Sequence, residues 1–189
     1  MLKSKRSRRR GKGAISTVDF IKRNLDFAHR ALTDAANGTD AQLHFVPADG
    51  SHSIAWCLWH TARVEDLIVN ARIGGGAPIW NDEWAQRTGL PGEGFGAGMS
   101  DDGAQTIHIN DMRAFVEYRD AVWASSAKFL DGATDEELAR EVPSRNGSET
   151  VAESIGLHML GHFNGHRGEI NTLRGMQGML TVLAVEGTH

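Results

Sequence analysis

Leu157-His-Met-Leu-Gly-His-Phe-Asn-Gly-His-Arg-Gly-Glu-Ile170 sets three histidines, His158, His162 and His166, four residues apart. A four-residue step along an α-helix is one turn plus about 40°, so adjacent members share a face. Two imidazoles one turn apart can grip a single transition-metal ion. Such an ion needs a further ligand from elsewhere, and His60, in Trp56-Cys-Leu-Trp-His60, is the candidate. His158 and His166 would stand about 12 Å apart along a helix axis, while imidazole–metal bonds are only about 2.0–2.1 Å. The usable pair is His158/His162 or His162/His166, and spacing does not choose between them.

Working outward, Thr150-Val-Ala-Glu153 is a capping box. It opens a last helix expected to run to about Leu180. That helix carries Gly156, Gly161, Gly165, Gly168, Gly175 and Gly178. Each interior glycine costs roughly 1 kcal/mol relative to alanine. Gly161, Gly165, Gly168 and Gly175 fall on one side, which predicts a closely approaching neighbour: a helix of the same chain, or a second subunit in a homodimer.

Three more long helices precede it. The first opens at Ser16-Thr17-Val18-Asp19, with Phe20, Leu25, Ala28, Ala31, Leu32 and Ala35 at helical spacing, and ends at Asn37-Gly38. Thr39 to Gly50 reads as a loop. A second helix starts at Ser51 or Ser53, buries Ile54, Cys57, Leu58, Thr61, Leu67, Ile68 and Ala71, and stops at Gly74-Gly75-Gly76-Ala77-Pro78. Residues 74–109 form a long connection with Trp80 and Trp84, expected to fold back over apolar surface and to include a short helix at Asp82–Arg87. A third helix runs from a cap at Asn110 or Asp111 to Asp131-Gly132. A short helical piece follows Thr134 to about Arg140, and Pro143 to Gly147 makes a turn. The expected fold class is all-α, a four-helix bundle with a long connection between helices two and three. Bundles build metal sites from side chains on facing helices, and here the histidines fall on the second and fourth.

The totals agree with one soluble domain. The chain has 189 residues, 40% hydrophobic and 23% charged, enough for a substantial core. No apolar run is long enough to span a bilayer, and no secretory h-region follows the basic start. The lone Cys57 excludes an intramolecular disulfide and a cysteine-based zinc finger. A cytoplasmic protein is expected. The net charge of -4 hides a split: residues 1–12 hold seven of the 20 cations and no acid, which leaves 13 cations against 24 anions in the body. An acidic body is a poor nucleic-acid surface, and only residues 1–12 offer weak, non-specific phosphate binding. The domain division is a basic arm over 1–15, a bundle over 16–182 and a tail over 183–189.

Trp56-Cys-Leu-Trp-His60-Thr-Ala on an early helix, with His162-Phe-Asn-Gly-His166-Arg-Gly-Glu-Ile170 on the last, resembles the DinB-like (YfiT-like) superfamily of metal-binding four-helix bundles. The resemblance runs from about residue 16 to 180. It implies His60, His162 and His166 as ligands of a divalent metal, with His158 a neighbour one turn away. Imidazole ligands suit zinc, nickel, iron or copper and do not decide among them. Three histidines leave coordination positions open, as in catalytic sites. Relatives include transferases and isomerases that use low-molecular-weight thiols such as bacillithiol or mycothiol. The resemblance therefore implies a metal-dependent transferase, isomerase or hydrolase acting on a small molecule. The alternative is a non-catalytic metal-binding or stress-response module.

Other residues have candidate roles beside the ligands. Glu169 follows His166 by three residues and is placed to orient it or to act as a base. Arg174 is a candidate for an anionic substrate, against a plain surface charge. Cys57, one turn before His60, is a candidate for facing the metal, against a core position. His29, His44, His52, His108 and His189 show no ligand spacing and read as structural or exposed.

Overall fold

Helix α3 (Ile54–Asp66) is the axis of the molecule: every one of its residues is buried. A helix apolar or enclosed on all sides must be central, and its capping residue explains where it begins. Ser53 accepts a hydrogen bond from the Trp56 amide at 3.0 Å, so the start falls at Ser53. The computed structural model describes residues 15–47 and 52–182. Ser51, the basic arm up to residue 14, the tail over 183–189 and His189 lie outside the described residues.

The elements in order are α1 (Thr17–Ala35), α2 (Asp40–Leu43), α3, α4 (Asp82–Thr88), α5 (Asp101–Gln105), α6 (Met112–Gly132), α7 (Asp135–Ala139), β1 (Glu141–Ser144), β2 (Gly147–Thr150), α8 (Val151–Ile155) and α9 (His162–Met176). Helix α3 runs directly into a π-helical segment, Leu67–Ile73, and a second π segment, Gly156–Gly161, joins α8 to α9. The fold is all-α with one short antiparallel hairpin. Four long helical units, α1, α3, α6 and α8–α9, make the bundle. Helices α1 and α3 each pack against both α6 and α9.

Several expectations change in detail. Phe20 does not belong to the buried stripe of α1; it is 53% exposed, and Ile21 takes its place. The stretch after Thr39 is not all loop, because Thr39 and Gln42 form a capping box that supports α2. The turn at Pro143–Gly147 is the tip of the β1–β2 hairpin, with Val142 buried beneath it. The last helix ends at Met176, not near Leu180: Gly178 has a φ of 68°, a left-handed conformation that ends a helix. The glycine stripe is not filled by a helix of the described chain. A Cβ built on Gly165, Gly168 or Gly175 would meet nothing within 4 Å.

Gly161 is different. Its Cβ would meet the Gly156 carbonyl oxygen at 3.3 Å, across the wide turn of the π segment. The small residues at both ends of that segment accommodate the altered winding, and π-bulges concentrate at functional sites.

The long connection is tied down on α3. Asp66, fully buried, accepts from the Ile79 amide at 2.8 Å, the Trp80 amide at 2.9 Å, Asn70 at 2.9 Å and the Tyr118 hydroxyl at 2.9 Å. A buried carboxylate is tolerated only when its lone pairs are met. Arg63, one turn earlier, donates to the Gly94 carbonyl at 3.0 Å. Trp80 and Trp84 pack into the core cluster of α3 and α6, as the two tryptophans predict. The connection therefore crosses α3 at its beginning and again at residues 94–96, directly over His60.

Candidate metal centre

Residues 162–176 form a regular α-helix, so His162 and His166 stand one turn apart on one face. His158 lies inside the π segment, where the α-helical argument for a shared face does not hold. This selects the pair. His60 faces it from α3. His162 Nε2 lies 3.0 Å from His60 Nε2 and 3.0 Å from His166 Nε2. Nitrogens about 2.0–2.1 Å from one ion lie roughly 2.9–3.4 Å apart for angles between a right angle and tetrahedral. The three imidazoles form a group that can hold a metal ion.

The outer nitrogens of two of these rings are fixed. His60 Nδ1 donates to the Phe95 carbonyl oxygen, in close contact. His166 Nδ1 donates to Glu169 Oε2 at 2.8 Å. Both acceptors lack a proton to give, so both Nε2 atoms present lone pairs. His162 Nδ1 is buried with no partner among the described residues. If that atom carries the ring proton, three lone pairs converge on nothing. If Nε2 carries it, one proton stands between two acceptors. With the proton on Nδ1, a cation at the centre relieves the repulsion of the three lone pairs, and neutral imidazoles with hydrogen-bonded outer nitrogens are the form that binds metals.

Burial pushes His60 and His162 down to about 4, and the neighbouring imidazoles push the same way. Both rings therefore stay neutral at pH 7. Glu169 behaves oppositely. Burial alone would raise its carboxyl, but hydrogen bonds from His166 and His52 hold it down at about 2. Its Oε1 accepts from His52 Nδ1 at 2.7 Å while Oε2 serves His166. With both oxygens engaged and so low a proton affinity, Glu169 is a poor base at neutral pH and a good orienting group.

His52 is the residue that sequence reasoning missed. It stacks on Trp56 at 3.5 Å between ring centroids, and Trp56 stacks on His60 at 4.5 Å. Trp56 and His60 stand one turn apart on α3, and His52, just before the Ser53 cap, continues the four-residue step, a spacing present in the sequence. The link to Glu169, 117 positions away, was not.

The loop over His60 needs glycine. Gly96 has a φ of 92°, and a Cβ there would meet Trp56 at 2.9 Å and His60 Nδ1 at 3.0 Å. Only a glycine lets the chain come close enough to offer the Phe95 carbonyl to His60.

The remaining candidates separate clearly. Cys57 is fully buried in the core, as its apolar neighbours predict. It forms a second close group with His166 and Glu169. Burial, reinforced by the Glu169 charge, raises its thiol well above the ordinary range, so it is protonated at neutral pH in the metal-free chain. His158 is not a core residue: it is exposed and pairs with Glu149 at 3.0 Å. Arg174 is neither a surface charge nor near the histidines. It is buried, with Nε donating to the Leu180 carbonyl at 2.6 Å and Nη1 to the Asp34 carbonyl at 3.3 Å, and so clamps the end of α9 to α1.

Asp40, His44 and His108 also lie close together. Their chemistry does not suit a metal. His44 Nε2 accepts from the Ile109 amide at 3.0 Å, its Nδ1 faces the Asp40 carbonyl at 2.9 Å, and the two rings stack face to face at 3.7 Å. No lone pair of His44 is left for an ion.

A long all-α bundle with imidazoles converging from its second and fourth long helices is the architecture of a carboxylate- or histidine-based metal bundle. The chain belongs to the DinB superfamily, whose family model matches residues 24–170. A crystal structure of a conserved protein from Enterococcus faecalis is similar in fold: TM-score 0.74, 23% identity, 87% of this chain and 99% of that one covered. No curated protein matches the sequence. Among the described residues, no helix is long and apolar enough to cross a membrane.

Proposed function

We propose that this protein is a divalent-metal-dependent enzyme acting on a small molecule, with His60, His162 and His166 as the ligands of zinc, nickel or iron. One observation carries the reading: three Nε2 atoms meet at 3.0 Å contacts while the Nδ1 atoms of His60 and His166 are committed elsewhere. When bound, the ion supplies Lewis-acid polarisation of a substrate oxygen or sulfur, or a water of lowered pKa.

The chain's own residues do the rest. Glu169 and the Phe95 carbonyl fix ring orientation and tautomer. His52 holds the second oxygen of Glu169, so the carboxylate cannot swing away from His166. The 94–96 loop and Trp56 close one side to water. Of the two side chains that could complete a closed four-ligand site, His158 is engaged with Glu149 and Cys57 is a fully buried thiol whose pKa burial raises. An open position supports turnover over storage. A cavity of about 280 Å³ reaches His60 and His162, giving a small molecule access to that position. The family resemblance adds a low-molecular-weight thiol as cosubstrate.

Elemental analysis of the purified chain tests the ligand set. The expected result is one transition-metal ion per chain, lost in the His162→Ala, His166→Ala double variant. Stoichiometric metal in a folded double variant would end the assignment. A panel of low-molecular-weight thiols added to the metal-loaded protein then separates thiol-dependent transfer from hydrolysis.

A further inference from the structure

The cavity beside the histidines has a shape and chemistry of its own. His60, Val64, Ile68 and Arg72 follow one another at four-residue steps along α3 and its π segment, so His60 and Arg72 bound the cavity at different turns. Phe95 and Leu157 add apolar walls, and both are exposed, Leu157 at 65%. Its size falls near the small end of ligand sites, about 300–1,000 Å³. Arg72 is the one cation among its lining residues.

That arginine is held but not used up. Its Nη1 donates to Glu149 Oε1 at 2.8 Å and to the Ser154 hydroxyl at 3.2 Å. Its remaining N–H donors have no partner among the described residues. The other Glu149 oxygen pairs with His158 Nε2 at 3.0 Å. Glu149 thus braces both Arg72 and His158 at the wall away from His60. Although burial works to raise its carboxyl, the bonds from His158 and Ser154 and the Arg72 charge hold it below the usual range, so the brace is ionised at neutral pH.

Resting on the metal-centre reading, we propose that the substrate of this site is a small amphiphilic carboxylate. Its apolar body lies along Val64, Ile68, Leu157 and Phe95. Its carboxylate meets the free edge of Arg72, and its other end reaches the open side of His60 and His162. A planar guanidinium with a free edge is matched to a carboxylate. The apolar walls reject small hydrophilic anions that could not cover them. Glu149 sets the strength of the interaction: it pre-orients Arg72 and competes with the incoming anion for it.

The test uses two probes of one shape, phenylacetate and phenylacetamide, titrated calorimetrically into the full-length chain as purified and again after chelator treatment. Phenylacetate should bind at least about tenfold tighter than the amide in both forms. Arg72→Met should abolish that preference while amide binding persists. Glu149→Gln should move affinity the other way, tightening phenylacetate several-fold, a gain that damage to the fold cannot produce. Failure of either probe to bind, equal binding of both, a preference that survives Arg72→Met, or weaker or unchanged binding in Glu149→Gln overturns the proposal. A preference confined to the metal-bearing form also overturns it, because the carboxylate then sits on the metal. Failure of the metal-centre reading shows separately, as absence of stoichiometric metal.

Discussion

His60 Nε2 and His162 Nε2 lie 3.0 Å apart, although 102 positions separate them in the chain. Neither helix makes this contact alone. It depends on α3 being central, on α9 beginning at His162 after a π segment, and on a loop that locks the far nitrogen of His60.

Gly96→Ala should disturb the centre without touching a ligand. The new methyl group enters the space of Trp56 and His60 Nδ1 at 2.9 and 3.0 Å, at a backbone angle that disfavours any side chain. Overpacking of this kind costs about 1–3 kcal/mol. Urea denaturation should show that loss, and chelator competition should show metal affinity reduced about 10–100-fold, the usual effect of removing a ligand's outer partner. Unchanged affinity would mean that the Phe95 carbonyl does not orient His60.

Glu169→Ala removes the acceptor from both His166 and His52. Metal affinity should again fall about 10–100-fold, whereas Glu169→Gln, which keeps one acceptor oxygen, should fall less. If Glu169 were a base and not an orienting group, both variants would lose turnover with metal affinity intact.

Asp66→Ala should be the most damaging single change outside the centre. It strands the Ile79 and Trp80 amides, Asn70 and the Tyr118 hydroxyl, and leaves Arg63 without its buried counter-charge. Breaking a buried charged network from one side costs about 3–5 kcal/mol. Tyr118→Phe, which removes one donor, should cost about 1–2 kcal/mol. Chemical denaturation of the two variants orders them.

The metal-free protein should lose stability as the pH falls below about 6.5. His60 and His162 take up protons near 4 in the folded chain, against an ordinary histidine value near 6.5 when unfolded. Between those values the unfolded chain binds more protons, so acid favours unfolding. Glu169 adds to the loss at lower pH: its folded value of about 2 lies below the ordinary carboxylate value, and its contribution disappears as pH falls through that range. A melting temperature that is flat from pH 7 to 4 would contradict a buried, neutral histidine cluster.

Much of this was legible in the sequence because it is local. The caps at Ser16, Ser53 and Thr150, the stop at Gly74 and the stripes of α1 and α6 set the four long helices by short-range rules. The histidine spacing left two candidate pairs on the last helix, and the family resemblance named His162 and His166 with His60. The π segments were hidden, since a fifth residue per hydrogen-bonded turn leaves no plain periodicity, only glycines at Gly156 and Gly161. The hairpin was hidden by its four-residue strands. His52 and Arg174 were misjudged for one reason: their partners, Glu169 and Asp34, are remote in sequence. The glycine stripe was legible as a pattern, but among the described residues no helix packs against Gly165, Gly168 or Gly175.

X-ray absorption at the zinc edge of the zinc-loaded protein reads the ligand shell itself. The expected spectrum has nitrogen scatterers at about 2.0–2.1 Å, with the outer-shell signature of three imidazoles and no sulfur near 2.3 Å. A zinc–sulfur distance, which would put Cys57 on the ion, or a first shell with fewer than three imidazoles, would contradict it.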